Sequence, residues 1–546
     1  MRAARPRLPA LLVVALLAGC QVDVEGAPCS APGTTIDCPG GQACGNELRC
    51  SVRAAACLAT RCTPGVGDAC LDPSGVGSGT ALARRCTAAD AACGAWIVDS
   101  CAGQGLVCGA RAGGAACECP EGGWELVVRP DGGPAGDPPY ATGAATPPVC
   151  AFRTIADAMA RAGALRELDP AHAVTVTLAG APAGGTATFP TVSPLFVNRG
   201  VTLRSDPASG GTSEILTGSS ASSVVLRDGA TLRGVTVRSS STDGLNGVDV
   251  YGSGSGRPVR VSAVTVVGPG AAAGQGGSGL WIGGDAVVLA DDLHVRDFAG
   301  PGLFVDAALS ATTPVSISGG SITACGAGAL VHSGRFVLDG VRVSGNAGRG
   351  VDVEPLEAST VAVEVRSSRI VGNGDTGIAL VGVSELRVSH TTVFGNGATT
   401  AWGGAAVASG TTRRGGGVVL SGVPPPAEAL ELRGNRIYGN GGDQVLALGP
   451  ATATWVLDQP ATCLDAQGPV TNMIGCYDPS PAGTTGASRG IVAIDAAASA
   501  LNQWWEGGVA PSSLDVARLP AGTIPATTAC VWTTPALSCG SEEPPP

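Results

Sequence analysis

Few side chains in this sequence are equipped for covalent chemistry. Of its four histidines, one stands among carboxylates: the window V-V-L-A-D-D-L-H-V-R-D-F places Asp291, Asp292 and Asp297 around His294. Carboxylates beside an imidazole are the equipment of general acid–base cleavage. The same window also alternates as a strand does, with Leu293 and Val295 inward and Asp292, His294 and Arg296 outward. The expectation is an ordinary strand, with Asp291, Asp292 and His294 kept as the weak candidate catalytic residues. His172, His332 and His390 fall in separate stretches, so no second imidazole joins them. No Ser-His-Asp spacing, phosphate-cradling loop or metal-binding histidine pair stands out. Gly372-Asn373-Gly374-Asp375 offers oxygens to a calcium ion, but the G-G-x-G-x-D nonapeptide is not repeated. No metal and no cofactor is expected.

The cysteines carry a different chemistry. Arg2, Arg5 and Arg7 precede an apolar run, Leu8 to Leu17, that is too short for a permanent membrane span and reads as an export signal. The run ends Leu17-Ala18-Gly19-Cys20, which resembles the bacterial lipobox. That resemblance implies cleavage before Cys20 and lipidation of its thiol, anchoring the protein to a membrane. Gln21, rather than Asp, follows, which in enteric-type sorting implies the outer membrane. Thirteen cysteines lie between Cys29 and Cys119, Cys150 makes fourteen, and mostly alanine separates them. Such a stretch cannot build a sufficient core, and in an exported chain it reads as a disulfide-stapled module of undetermined connectivity. Zinc is not expected there, because no C-x-x-C pair and no histidine before His172 accompanies the cysteines.

What must position any site is a repeat. V-S-G-N-A-G-R-G-V-D-V and I-V-G-N-G-D-T-G-I-A-L place Asn346 four residues before Gly350 and Asn373 four before Gly377. The phrase returns at Asn396 and Asn440. Runs such as Val361-Ala362-Val363-Glu364-Val365 alternate over a few residues, which is strand periodicity. The glycine opening each G-apolar-x-apolar strand recurs at Gly247, Gly279, Gly302, Gly328, Gly350, Gly377 and Gly417. Most intervals are 22 to 32 residues and the last is 40, which predicts a protruding loop from Thr399 to Gly416. Short strands, glycine bends and no intervening helices fit stacked coils of a right-handed parallel β-helix. Aligned bends put Phe298, Cys325, Asn346, Asn373, Asn396 and Asn440 on one line, a structural ladder with Cys325 as a buried free thiol.

The same alignment predicts an outer stripe. The middle residue of each glycine-opened strand points away from the interior, giving Asp249, Trp281, Phe304, Leu330, Asp352, Ala379 and Val419 in order. In a chain with 3% aromatics, Trp281, Phe304 and Leu330 side by side outside call for a cause. They are either covered, by a loop such as Ala271 to Ser278 or Ala307 to Thr313 or by the cysteine module, or they bind a ligand, with Asp249 and Asp352 at the ends.

One resemblance completes the reading. The run V-V-R-P-D-G-G … P-V-C-A-F-R-T-I-A-D-A-M resembles the opening of the pectin-lyase-like right-handed β-helix superfamily. There a strand, a loop and a short helix plug the first coil. Here that helix would carry Ile155, Met159, Ala162, Leu165 and Leu168 on one face, capped by Thr154. Ile491 to Asp495 with Asn502-Gln503-Trp504-Trp505 is similar to the family's closing coil. The fold class is therefore all-β, a right-handed parallel β-helix with an N-terminal capping helix, preceded by a disulfide-rich module. The segments are 1–19 signal, 20–28 tether, 29–123 cysteine module, 124–509 β-helix and 510–546 a partly disordered extension. Cys463 with Cys476, and Cys530 with Cys539, read as local bridges.

Relatives of this kind include pectate lyases, polygalacturonases and uronan epimerases, but the Gly-His-Gly, Asn-Thr-Asp and Arg-Ile-Lys motifs are absent from the following coils. The expected function is thus non-catalytic: a lipid-anchored cell-envelope protein with a binding or structural role, in contact with polysaccharide or another envelope protein. The alternative is a carbohydrate-active enzyme on an acidic polysaccharide. That alternative requires three carboxylates within about 6 Å of one another near a basic residue, beside a groove. Net charge is −11, lysine is absent, and no basic stripe with interleaved aromatics occurs, so nucleic acid is not an expected partner.

Overall fold

The computed structural model describes residues 125–129 and, with short interruptions, 151–449; elsewhere it describes only short strands. Cys20, the paired-cysteine assignments and the segment 540–546 lie outside the described residues. The chain divides into two compact units, 1–123 with 140–150 and 124–139 with 151–546. In the first, Leu82–Thr87 pairs antiparallel with both Ala69–Leu71 and Ala95–Ser100, and Val107–Arg111 pairs with Gly114–Glu118.

The second unit is the predicted right-handed parallel β-helix. Each coil has a first strand, a sharp corner, a second strand, a bend and a third strand, as in Val201–Ser205, Thr212–Thr217 and Val224–Arg227. Each strand then pairs in parallel with its counterpart one coil on: Leu203 with Leu232, Ile215 with Val237, Leu226 with Val250. Alternation decides the packing. Val248, Val250, Leu280, Ile282, Leu303, Val305, Val351 and Val353 point inward and are at most 1% exposed. Stacked columns of β-branched and leucine side chains thereby form most of a thin core, with Phe298, Phe336, Tyr438 and Trp455 as its largest fully buried side chains. Within the predicted loop Ala401–Trp402 pairs antiparallel with Arg413–Arg414 at the start of Arg413–Ser421, and 398–400 and 403–412 lie outside the described residues.

The capping helix α1 spans Ile155–Leu168. Its N-cap is the expected one: Thr154 Oγ1 accepts from the Asp157 backbone N–H at 3.1 Å and donates to the Asp157 carboxylate at 2.6 Å. Ile155, Ala158, Met159, Ala162 and Leu165 are buried, which leaves the first coil no open apolar end. Glu125–Val128 pairs with Val174–Leu178 as the plugging strand. At the other end the stack continues past residue 509, since Val516–Leu519 pairs with Ile491–Ile494.

The asparagine ladder forms at the bend between second and third strands. Asn346 Nδ2 donates to Asn373 Oδ1, Asn373 Nδ2 to Asn396 Oδ1, and Asn396 Nδ2 to Asn440 Oδ1, at 2.8, 2.8 and 2.9 Å. Each backbone N–H donates to the same oxygen, so one carbonyl one coil on satisfies two buried donors. Cys325 holds the ladder position before Asn346, and its N–H donates to Asn346 Oδ1 at 3.0 Å. It is the free cysteine of the described residues, fully buried, and burial pushes its thiol up to about 11. Phe298 is on the same line, its carbonyl accepting from the Gly326 N–H as Cys325's does from Ala347.

A second ladder, not anticipated, runs down the corner between first and second strands. The Val341 N–H donates to Ser368 Oγ, Ser368 N–H to Thr391 Oγ1, Thr391 N–H to Asn435 Oδ1, and Asn435 N–H to Asn472 Oδ1. The sequence carried its signal: Ser368, Thr391 and Asn435 stand five residues before Asn373, Asn396 and Asn440.

Candidate functional site

The outer face of the third strands carries the predicted stripe, in the predicted register. Asp249 pairs with Trp281, Trp281 with Phe304, Phe304 with Leu330, and Leu330 with Asp352. Phe196 and Val225 extend the column at its start, and Ala379 and Val419 continue it fully buried. Trp281, Phe304 and Leu330 are half-buried, so their rings and methyls are partly open. The loop residues 271–275 and 308–313, offered as covers, lie outside the described residues.

The column is wider than the sequence suggested. Tyr251, one alternation beyond Asp249, is 40% exposed and its ring centroid lies 4.9 Å from that of Trp281. The Arg227 guanidinium stands 5.4 Å from the Tyr251 ring centre and 5.7 Å from that of Phe196, which is 45% exposed. His332 meets Phe304 edge-on at 4.9 Å. Phe196 to Leu330 thus covers five coil steps, about 24 Å at the usual strand spacing.

Glycine sets the attitude of the indole. A Cβ at Gly283 would come within 2.0 Å of the Trp281 ring, so the ring lies over Gly283 along its own strand. A side chain there would force the indole up; its absence lets one flat face be presented outward. Asp249 at one end is already engaged: Ser223 Oγ donates to it at 2.6 Å and Asn246 Nδ2 at 2.7 Å.

At the other end the structure assembles what the sequence did not reveal. Arg349 Nη1 donates to Asp352 Oδ1 and to Glu354 Oε1, each at 2.7 Å, and Arg349 Nε stands 3.9 Å from Asp375 Oδ2. The two carboxylates sharing Nη1 must lie within about 5.4 Å of each other. Asp352 is the outward residue of the third strand Val351–Val353 and Glu354 follows directly after it, whereas Asp375 arrives from the bend one coil on. His332 follows Val331 in the preceding coil, and the Val331 carbonyl accepts from the Glu354 N–H at 3.0 Å. Burial pushes the Asp352 carboxyl up to about 6 against the pull of Arg349, and repulsion from Glu354 and Asp375 adds to it. Arg349 is held above its ordinary value: burial works against its charge, and Asp352 and Glu354 outweigh that.

That shift has a sign. Below about pH 4 Asp352 is protonated in both folded and unfolded chains. As pH rises through the folded value near 6, the unfolded chain has already ionised, so stability held below that window is lost. The Asp352→Asn variant lacks the effect. Its stability relative to the native chain should improve between pH 4 and 7 by about 2–3 kcal/mol, read from urea midpoints. A difference flat across that range would show a carboxyl of ordinary acidity.

The Asp291–Asp292–His294 window departs from an ordinary strand. Asp292 is a left-handed corner with φ 53°, like Ala263, Ser367 and His390 in other coils, and the pairing with the next coil skips it. His294 Nε2 lies 3.0 Å from Asp292 Oδ1 and His294 Nδ1 2.9 Å from Ser321 Oγ, so an Asp-His-Ser relay forms that only the next coil's register reveals. Asp292 is 58% and His294 44% exposed. A hydroxyl nucleophile works in a water-shielded site with donors aimed at the developing oxyanion, and an open strand face lacks that shielding. Asp291 points elsewhere, onto the first-strand face.

Residues 220–422 match the family model described as the right handed beta helix region. No curated protein matches this chain. Among solved structures, the chain is similar to the A-module of a mannuronan C-5 epimerase from Azotobacter vinelandii, at 14% identity over 68% of this chain and 93% of that one, with a TM-score of 0.31. It is similar to a pectate lyase at 16% identity over 71% and 81%, TM-score 0.29, and to the Dettilon tailspike protein at 12% over 67% and 64%, TM-score 0.31. The activities in those names belong to those proteins.

Proposed function

We propose that this pectin-lyase-like right-handed β-helix binds polysaccharide through the outer face of its third strands, held at a bacterial cell envelope by lipid on Cys20. The observation that carries the binding reading is the row Phe196, Tyr251, Trp281, Phe304, with the indole laid flat over Gly283. Aromatic faces set along the stacked coils, with Arg227 between Phe196 and Tyr251, suit an extended chain of sugar rings, whose C–H faces are apolar and whose rims are hydroxylated. Calorimetry of the purified protein against a polysaccharide panel tests it; an absence of heat with every glycan would end it, and recovery of an envelope protein on this face would replace it. The anchor is tested separately: Cys20→Ala should move the protein from membranes to the soluble fraction, and a variant that survives a carbonate wash on membranes has another anchor.

A second reading has one observation in its favour. Asp352, Glu354 and Asp375 around Arg349 approach the carboxylate trio near a base that catalysis would need, and a carboxyl near 6 suits a general acid or base. In that reading the aromatic row leads a chain to the trio. New reducing ends or unsaturated products that vanish in Asp352→Asn would establish it.

A further inference from the structure

The first-strand face carries a groove of about 440 Å³ that shares no residue with the aromatic row. In register, Arg233, Ser262, Asp291 and Ser318 form one outward line, and Arg260 and Ser316 belong to the line beside it. Leu289 stands between Arg260 and Ser316 in that second line, and Ser262, Ser316 and Ser318 line the groove with short side chains.

The two arginines differ from the others on this face. Arg204 pairs with Glu125, Arg335 with Glu364 and Glu385, Arg366 with Asp339 and Glu364, Arg387 with Glu385, and Arg433 with Glu431. Among the described residues Arg233 and Arg260 have no such partner, and both are exposed. A guanidinium holds five N–H donors in a fixed fork that matches an oxyanion, and here both forks are free. In a chain of net charge −11, free cations lining a groove are a local exception to a field that repels anions.

We propose that this groove is a second ligand site, distinct from the aromatic face, that takes a polysaccharide bearing oxyanions. Arg233 and Arg260 clamp its carboxylates or sulfates, while Ser262, Ser316, Ser318 and Asp291 meet its hydroxyls.

The test is calorimetry on the full chain with three oligosaccharides of equal length: a polyuronate, a sulfated glycan and a neutral one. At least one acidic ligand should bind, more weakly as salt is raised. Arg233→Ala and Arg260→Ala should each weaken that binding about tenfold, and Asp291→Asn, which removes a like charge, should tighten it. Carboxylate-only or sulfate-only binding identifies the ligand's source. Trp281→Ala should leave this arginine dependence in place, so failure of the aromatic site and failure of this one read out separately. A double arginine variant that binds acidic ligands as tightly as the native chain overturns the proposal, as does a native chain that binds neither or binds the neutral glycan equally through these arginines.

Discussion

Trp281→Ala should weaken glycan affinity about thirtyfold, the cost of about 2 kcal/mol that truncating a central aromatic anchor brings. The indole stands mid-row, with Tyr251 against one side and Phe304 one coil on, so its loss interrupts the row rather than shortening it. A companion variant removes no contacting group. Gly283→Ala places a methyl within 2.0 Å of the indole ring and lifts it from its flat seat. It should weaken binding in the same direction while circular dichroism stays native. If both variants bind as the native protein does, the face does not hold the glycan.

The second large effect is on stability. Asn373→Ala should cost about 4 kcal/mol, seen as a lower urea midpoint with an unchanged slope. Asn373 is 2% exposed and sits mid-ladder. Its oxygen satisfies both the Asn346 backbone N–H and Asn346 Nδ2, and its amide donates to Asn396 Oδ1 and to the Val343 carbonyl. Truncation leaves the Asn346 backbone N–H without its acceptor and takes one partner each from Asn346 Nδ2, Asn396 Oδ1 and the Val343 carbonyl, where water cannot replace it, at about 1–3 kcal/mol for a buried group left unpaired. A loss under 1 kcal/mol would mean that the stack relaxes around the gap.

How much of this was legible in advance follows from what periodicity encodes. Alternation and the recurring glycine gave the fold, the ladder and the exact partners Trp281, Phe304 and Leu330 share, because a parallel coil repeats its register faithfully. The acid cluster was not legible. Asp352 was singled out only as the end of the stripe; Arg349 and Asp375 come from bends, and pairing a bend residue with the next coil's bend needs the backbone path. The Asp292–His294–Ser321 relay was missed for a related reason. A left-handed corner in the middle of Val288–Arg296 breaks the alternation, and only register sets Ser321 beside His294. The free arginines of the groove were invisible as well, since being unpaired depends on which neighbours the coils supply.

The ladder also gives the stack a direction in time. Asn346, Asn373 and Asn396 each aim the backbone N–H and the side-chain amide toward the asparagine of the coil made after it, while the same amide also reaches back to the Ile322, Val343 or Ile370 carbonyl of the coil before. A chain emerging from its N-terminus therefore presents two open donors at each bend from Asn346 to Asn396, and the next coil closes them. This ladder, though not the stack, ends where the acceptor comes from within the coil: Gln444 Oε1 accepts from Asn440 Nδ2 at 2.8 Å and from its backbone N–H at 3.3 Å. Gln444 is thus a stop signal written in hydrogen bonds, the point at which the nascent ladder no longer waits for a successor.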